Sequence, residues 1–133
     1  GVLFGTACVY LVFLLTKALL KNDLTALIAS FLFSLEGLSF ALSRIGMNDI
    51  YFLFFLLGTL LFFLKDKFLW SALFLGIAIA TKWTSFFILP ILFILWFLYK
   101  RNIRFSYLYF LFVPVLVYFF SYTIFFTTGH TIS

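Results

Sequence analysis

The chain has 133 residues, of which 66% are hydrophobic, 25% aromatic and only 10% charged. Soluble domains average roughly 45–50% apolar and about 25% charged residues, so a soluble globular domain is excluded and an integral membrane chain is expected. The net charge of +5 does not mark a nucleic-acid binder, because no basic face with interleaved polar residues accompanies it.

A helical membrane span needs about 17–25 apolar residues. The first apolar run predicts a helix over 2–20, closed by Lys17, Lys21, Asn22 and Asp23. Cys8 lies inside this run and reads as packing or lipid-facing filler. A second helix is predicted over 24–42, with Asp23 and Thr25 offering cap chemistry at its start and Ser43-Arg44 at its end. A third is predicted over 49–64, with Asn48 or Asp49 capping the first turn, where a carboxylate suits the positive helix end.

Residues 68–99 are too many for one ordinary span and rather few for two. Thr81-Lys82-Trp83-Thr84 interrupts them, which predicts two short helices, 68–80 and 84–99. One tilted helix with Lys82 in mid-membrane is the alternative, and it would invert the topology downstream. A sixth helix is expected over 105–126 with Pro114 inside it, a residue that membrane helices tolerate. The fold class is therefore an all-α polytopic bundle of about six transmembrane helices, two of them short, with residues 1–133 forming one transmembrane domain. The absence of an initiator Met and the apolar start at Gly1 read as a piece of a longer protein.

The positive charges are unevenly placed. Lys17, Lys21, Lys65, Lys67, Lys100, Arg101 and Arg104 fall in three alternate gaps, and Arg44 and Lys82 fall in the others. Excess Lys/Arg marks the cytoplasmic side, so loops 17–23, 65–67 and 100–104 are expected there. Arg44 and Lys82 are then outer cations that topology does not require, and a cation of that kind is a candidate for holding an anion.

Three segments carry the chemistry. In the first, Glu36 to Asp49, a mid-span carboxylate precedes a guanidinium at the helix end and a second carboxylate opening the next helix. Ionisable groups inside a span are costly and mark functional sites. On a continuous helix Glu36 and Arg44 would lie about 12 Å apart, about 80° around the axis, so both could face one cavity. Arg44 reads either as a snorkelling helix-end residue paired with Asp49 or as a phosphate ligand, since its planar fork suits phosphate oxygens. Asp49 reads as a cap and partner of Arg44, or as a contact for a sugar hydroxyl. Glu36 reads as a structural polar contact or as a cavity-lining group.

In the second segment, Gly76, Ala78 and Ala80 allow close helix approach, Lys82 can deliver a compact positive charge, and Trp83 suits the interface belt. In the third, Ser121-Tyr122 to Gly129-His130, a lone His has no metal-ligand companion in the sequence and reads as a loop residue or a cavity contact. No metal site, Gly-rich phosphate loop or Ser/His/Asp set is present.

Together these segments resemble the protein O-mannosyltransferases, a branch of the lipid-donor (GT-C) glycosyltransferases. Glu36-Gly37, Ser43-Arg44-Ile45 and Asp49 match the family's acidic-Gly, Ser-Arg-Ile and helix-opening Asp. Lys82-Trp83 matches its Lys-Trp, and Ser121-Tyr122 with Gly129-His130 its outer-end motif, in order across residues 36–130. Asn48 stands where an apolar residue is expected.

The resemblance implies inverting transfer of mannose from a polyprenyl (dolichyl-type) phosphate to Ser/Thr hydroxyls of exported proteins. No cofactor is implied, because the lipid-linked sugar is a co-substrate. Arg44 and Lys82 would sit at the donor phosphate, and Glu36, Asp49 and His130 would line the substrate cavity. The family's probable catalytic Asp belongs to an external loop upstream, so no catalytic residue is expected within 1–133, which should be inactive alone.

The implied partners are the donor lipid, a Ser/Thr-containing polypeptide and the bilayer, with no nucleic acid; a dimer is left open. The implied location is a prokaryotic plasma membrane, or the endoplasmic reticulum membrane in a eukaryote. Three other readings compete, one of them a non-catalytic packing or assembly subunit, for which Arg44 and Lys82 substitutions would leave activity intact. A GT-C transferase could move another sugar to lipid A or a glycan, or the chain could be a transporter or flippase segment lined by Glu36, Arg44 and Lys82.

Overall fold

The structure, a computed structural model, describes residues 1–36, 41, 48–99 and 106–129. Helices account for nearly all of them, and no strand occurs among the described residues. The helices are α1 (Val2–Leu20), α2 (Asp23–Leu35), α3 (Asn48–Leu64), α4 (Phe68–Thr81), a 3₁₀ turn (Trp83–Phe87), α5 (Ile88–Tyr99) and α6 (Ser106–Thr127). Two segments, Val2–Leu20 and Phe110–Thr127, are long and apolar enough to cross a bilayer.

α1 stops where Lys21 takes a left-handed conformation (φ 53°) and returns its N–H to the Lys17 carbonyl. The cap of α2 is Asn22, whose side chain accepts the Leu24 N–H at 3.0 Å, one residue before the expected position. Asp23 instead occupies the first turn, where a carboxylate favours the helix dipole, and pairs with Lys17 at 3.0 Å.

α2 ends at Leu35, not at 42, and Glu36 closes it in extended conformation (ψ 111°). Gly37 follows at once, and glycine costs about 1 kcal/mol in a helix interior, so a break here is cheap. Glu36 is thus an exposed helix-end residue and not a mid-helix carboxylate. The helix expected to continue through Glu36 stops there, and Arg44, to which its geometry was related, lies outside the described residues.

α3 and α4 form an antiparallel hairpin around Lys65-Asp66-Lys67. Lys67 N–H reaches the Phe62 carbonyl at 3.0 Å and Asp66 N–H the Phe63 carbonyl at 3.3 Å. Asp66 takes the left-handed position (φ 63°), the bonding pattern that terminates many helices with glycine. Between the two helices, the buried Ser71 hydroxyl donates to the Thr59 carbonyl at 2.8 Å. α6 runs parallel to α4. Phe110 packs against Phe63 and Phe68 near the hairpin turn, and further along, Gly76 abuts Pro114 and Val117. α1 packs on α2 and on α3, with Phe4 edge-on to Tyr51 and Phe54.

The core gathers Phe63, Leu75, Ile79, Ile88 and Leu92, which ties α5 back onto the α3–α4 hairpin. The outer surface is apolar. On α2, Leu24, Leu27, Ile28, Phe31, Leu32 and Leu35 are all exposed, and the buried residues are Ala26 and Ser30. Such a face has no place in water.

The candidate anion site

The break expected near residue 82 is real, and it resolves residues 68–99 into two helices. α4 ends at Thr81, and Lys82 turns extended (φ −153°, ψ 118°) before the 3₁₀ turn begins. Lys82 N–H still reaches the Ala78 carbonyl at 2.9 Å, and Ser85 N–H reaches the Lys82 carbonyl at 3.0 Å. The Ser85 hydroxyl, buried, lies 2.7 Å from both of those carbonyls. One proton serves two acceptors, and it pins the backbone on either side of Lys82.

This joint delivers the Lys82 side chain to the first turn of α3. Its ammonium donates to Asp49 Oδ1 at 2.6 Å. It also stands 5.8 Å from the centroid of the Phe52 ring, within the range at which a ring face attracts a cation. The ammonium is therefore held between a carboxylate and an aromatic face one turn apart on α3. Side-chain exposures of 44% for Lys82 and 38% for Asp49 leave the pair within reach of a ligand. An ammonium has three N–H donors, and Asp49 takes one.

The pairing lies at the end of the hairpin opposite the Lys65–Lys67 turn. α6, parallel to α4, also ends on this side, at Thr127, and Gly129 in the turn that follows takes a positive φ of 86°. The 3₁₀ turn beside Lys82 buries Ser85 and exposes Trp83, Phe86 and Phe87.

Of the sequence candidates, Asp49 and Lys82 are brought together. Asp49 pairs with Lys82, a partner the sequence reading did not assign to it. Glu36 is described at the end of α2, away from the helix interior expected for it. Arg44 and His130 lie outside the described residues. Phe52 and Ser85 are additions. Phe52 stands three positions after Asp49, on the same helix face, and Ser85 stands three after Lys82, a spacing at which a hydroxyl reaches back to a carbonyl.

A family model described as dolichyl-phosphate-mannose-protein mannosyltransferase matches residues 1–129 of the chain. No curated protein and no solved structure matches it.

Proposed function

Because the chain belongs to the dolichyl-phosphate-mannose-protein mannosyltransferase family, a family of membrane glycosyltransferases, we propose that it forms part of the donor site of an enzyme moving mannose from a polyprenyl phosphate to Ser/Thr hydroxyls. The observation that carries this reading is Lys82, held at a helix break against Asp49 in a chain that is 66% hydrophobic. An ammonium in poorly hydrated surroundings suits a lipid-linked phosphate.

In the proposed reaction the acceptor hydroxyl oxygen attacks the anomeric carbon from the face opposite the phosphate. A new C–O bond forms with inversion, and the bond to the phosphate oxygen breaks. The electron pair stays on that oxygen. The hydroxyl proton passes to a general base, a role that no residue assigned here takes. Lys82 and Arg44 meet the charge that grows on the departing phosphate, an electrostatic contribution worth about 10²–10³ in rate per donor. Glu36, Asp49 and His130 are assigned to the walls of the same cavity.

Six spans are proposed. The Lys65–Lys67 turn is placed in the cytoplasm by the charge rule, and the Lys82–Asp49 end on the opposite side. In a Cys8→Ala background, Asp66→Cys should label only from the cytoplasmic side and His130→Cys only from the other. Labelling of both from one side would refute this topology.

The direct test uses membranes carrying the full-length protein, labelled mannosyl polyprenyl phosphate and a Ser/Thr peptide. Arg44→Ala should lower transfer at least tenfold at unchanged expression, by the loss of one phosphate donor. Near-normal turnover would remove Arg44 from the phosphate site.

A further inference from the structure

Asp49 poses a problem for an anion site. A carboxylate 2.6 Å from the Lys82 ammonium repels any phosphate that the ammonium attracts. The repulsion is not equal for the two ligands the site must handle. The donor is a phosphodiester and carries one negative charge. Once the sugar has left, the lipid phosphate is a monoester whose second ionisation lies near pH 6, so at neutral pH it carries nearly two.

We propose that the Asp49 carboxylate makes the Lys82 site favour the singly charged diester donor over the doubly charged monoester product, and so limits product inhibition. This rests on Lys82 being a phosphate ligand. The geometry supplies both halves of the device. Lys82 keeps two N–H donors beyond the one given to Asp49, so it can bind phosphate without leaving the carboxylate. Asp49 is half-exposed at the same end of the hairpin, so its field reaches the ligand without being buried. One further unit of charge a few ångströms from such a carboxylate corresponds to a factor of about ten in affinity.

Two inhibitors sharing one polyprenyl tail isolate that unit of charge: the free phosphate monoester and its methyl diester. Inhibition constants for both are measured on the full-length enzyme at pH 7.5. The expectation is that Asp49→Asn tightens the diester about tenfold and the monoester up to about a hundredfold, so that their ratio shifts about tenfold, while Asp49→Glu restores the wild-type ratio. Since the two ligands are compared on one variant, a loss of active protein cancels.

Equal shifts for both ligands, or no shift for the monoester, would overturn the proposal and leave Asp49 a purely structural partner of Lys82. Lys82→Met should weaken both ligands. If it weakens neither, the phosphate reading itself fails, and the proposal fails with it for that separate and recognisable reason.

Discussion

Replacing Lys82 with Met should lower mannose transfer about 10²-fold in the full-length enzyme, with the protein still folded. The magnitude is that of losing one fixed cation from a site where negative charge develops. Met preserves the unbranched stem and its packing, so the change is chiefly one of charge. Lys82→Arg should retain part of the activity, because the charge stays but a broad planar fork replaces a compact ammonium.

The ion pair sharpens the test. Lys82→Met strips Asp49 of the ammonium it holds at 2.6 Å, so the variant site carries an uncompensated carboxylate where phosphate must sit. Adding Asp49→Asn should therefore recover several-fold of the loss. Groups in contact are expected to be non-additive in this way. Turnover within threefold of wild type for Lys82→Met would remove the cation from the chemistry.

The second large effect is structural. A Cβ added at Gly76 would stand 2.8 Å from Val117 Cβ and 3.1 Å from the Pro114 Cα. The second of these is backbone, in a helix whose Pro114 is buried against α4, so α6 cannot yield by a rotamer change. Gly76→Leu should separate α4 from α6 and cost about 3 kcal/mol, the upper end for overpacking. Thermal unfolding in detergent would show this as a lower midpoint. Activity should fall too, since Lys82 sits one residue beyond the end of α4 and moves with it. An unchanged midpoint would show that the two helices tolerate a wider spacing than this contact requires.

Much of the fold was legible because the signals were local. The ends of α1, α3 and α4 and the start of α6 fall within a residue or two of where charged gaps interrupt apolar runs. The interruption at Lys82 was legible for the same reason: a lysine between two threonines and a tryptophan cannot continue a buried helix cheaply. The end of α2 was not, because Leu35 and Leu38 flank Glu36-Gly37 in a run whose apolar pattern continues. Only the backbone shows that the helix stops there.

The site was legible as a set of residue types and not as an arrangement. Asp49 and Lys82 were both candidates, yet their pairing joins positions 33 apart, and no spacing rule reaches that far. Arg44 was the nearer cation in sequence and took the pairing by default. Phe52 was hidden among 23 phenylalanines, where one ring against a cation has no compositional signal. Ser85 was hidden because a buried hydroxyl tied to two carbonyls reads, from sequence, like any loop serine.

The pinned joint at Ser85 makes the address of the positive charge a property of the main chain and not of a flexible stem. Deleting one residue from the middle of α4 would turn the lysine about 100° around the axis and draw it back about 1.5 Å, out of reach of its carboxylate, while leaving every side chain in the segment chemically intact. The number of residues in this stretch is therefore constrained as well as the identity of Gly76 and Lys82.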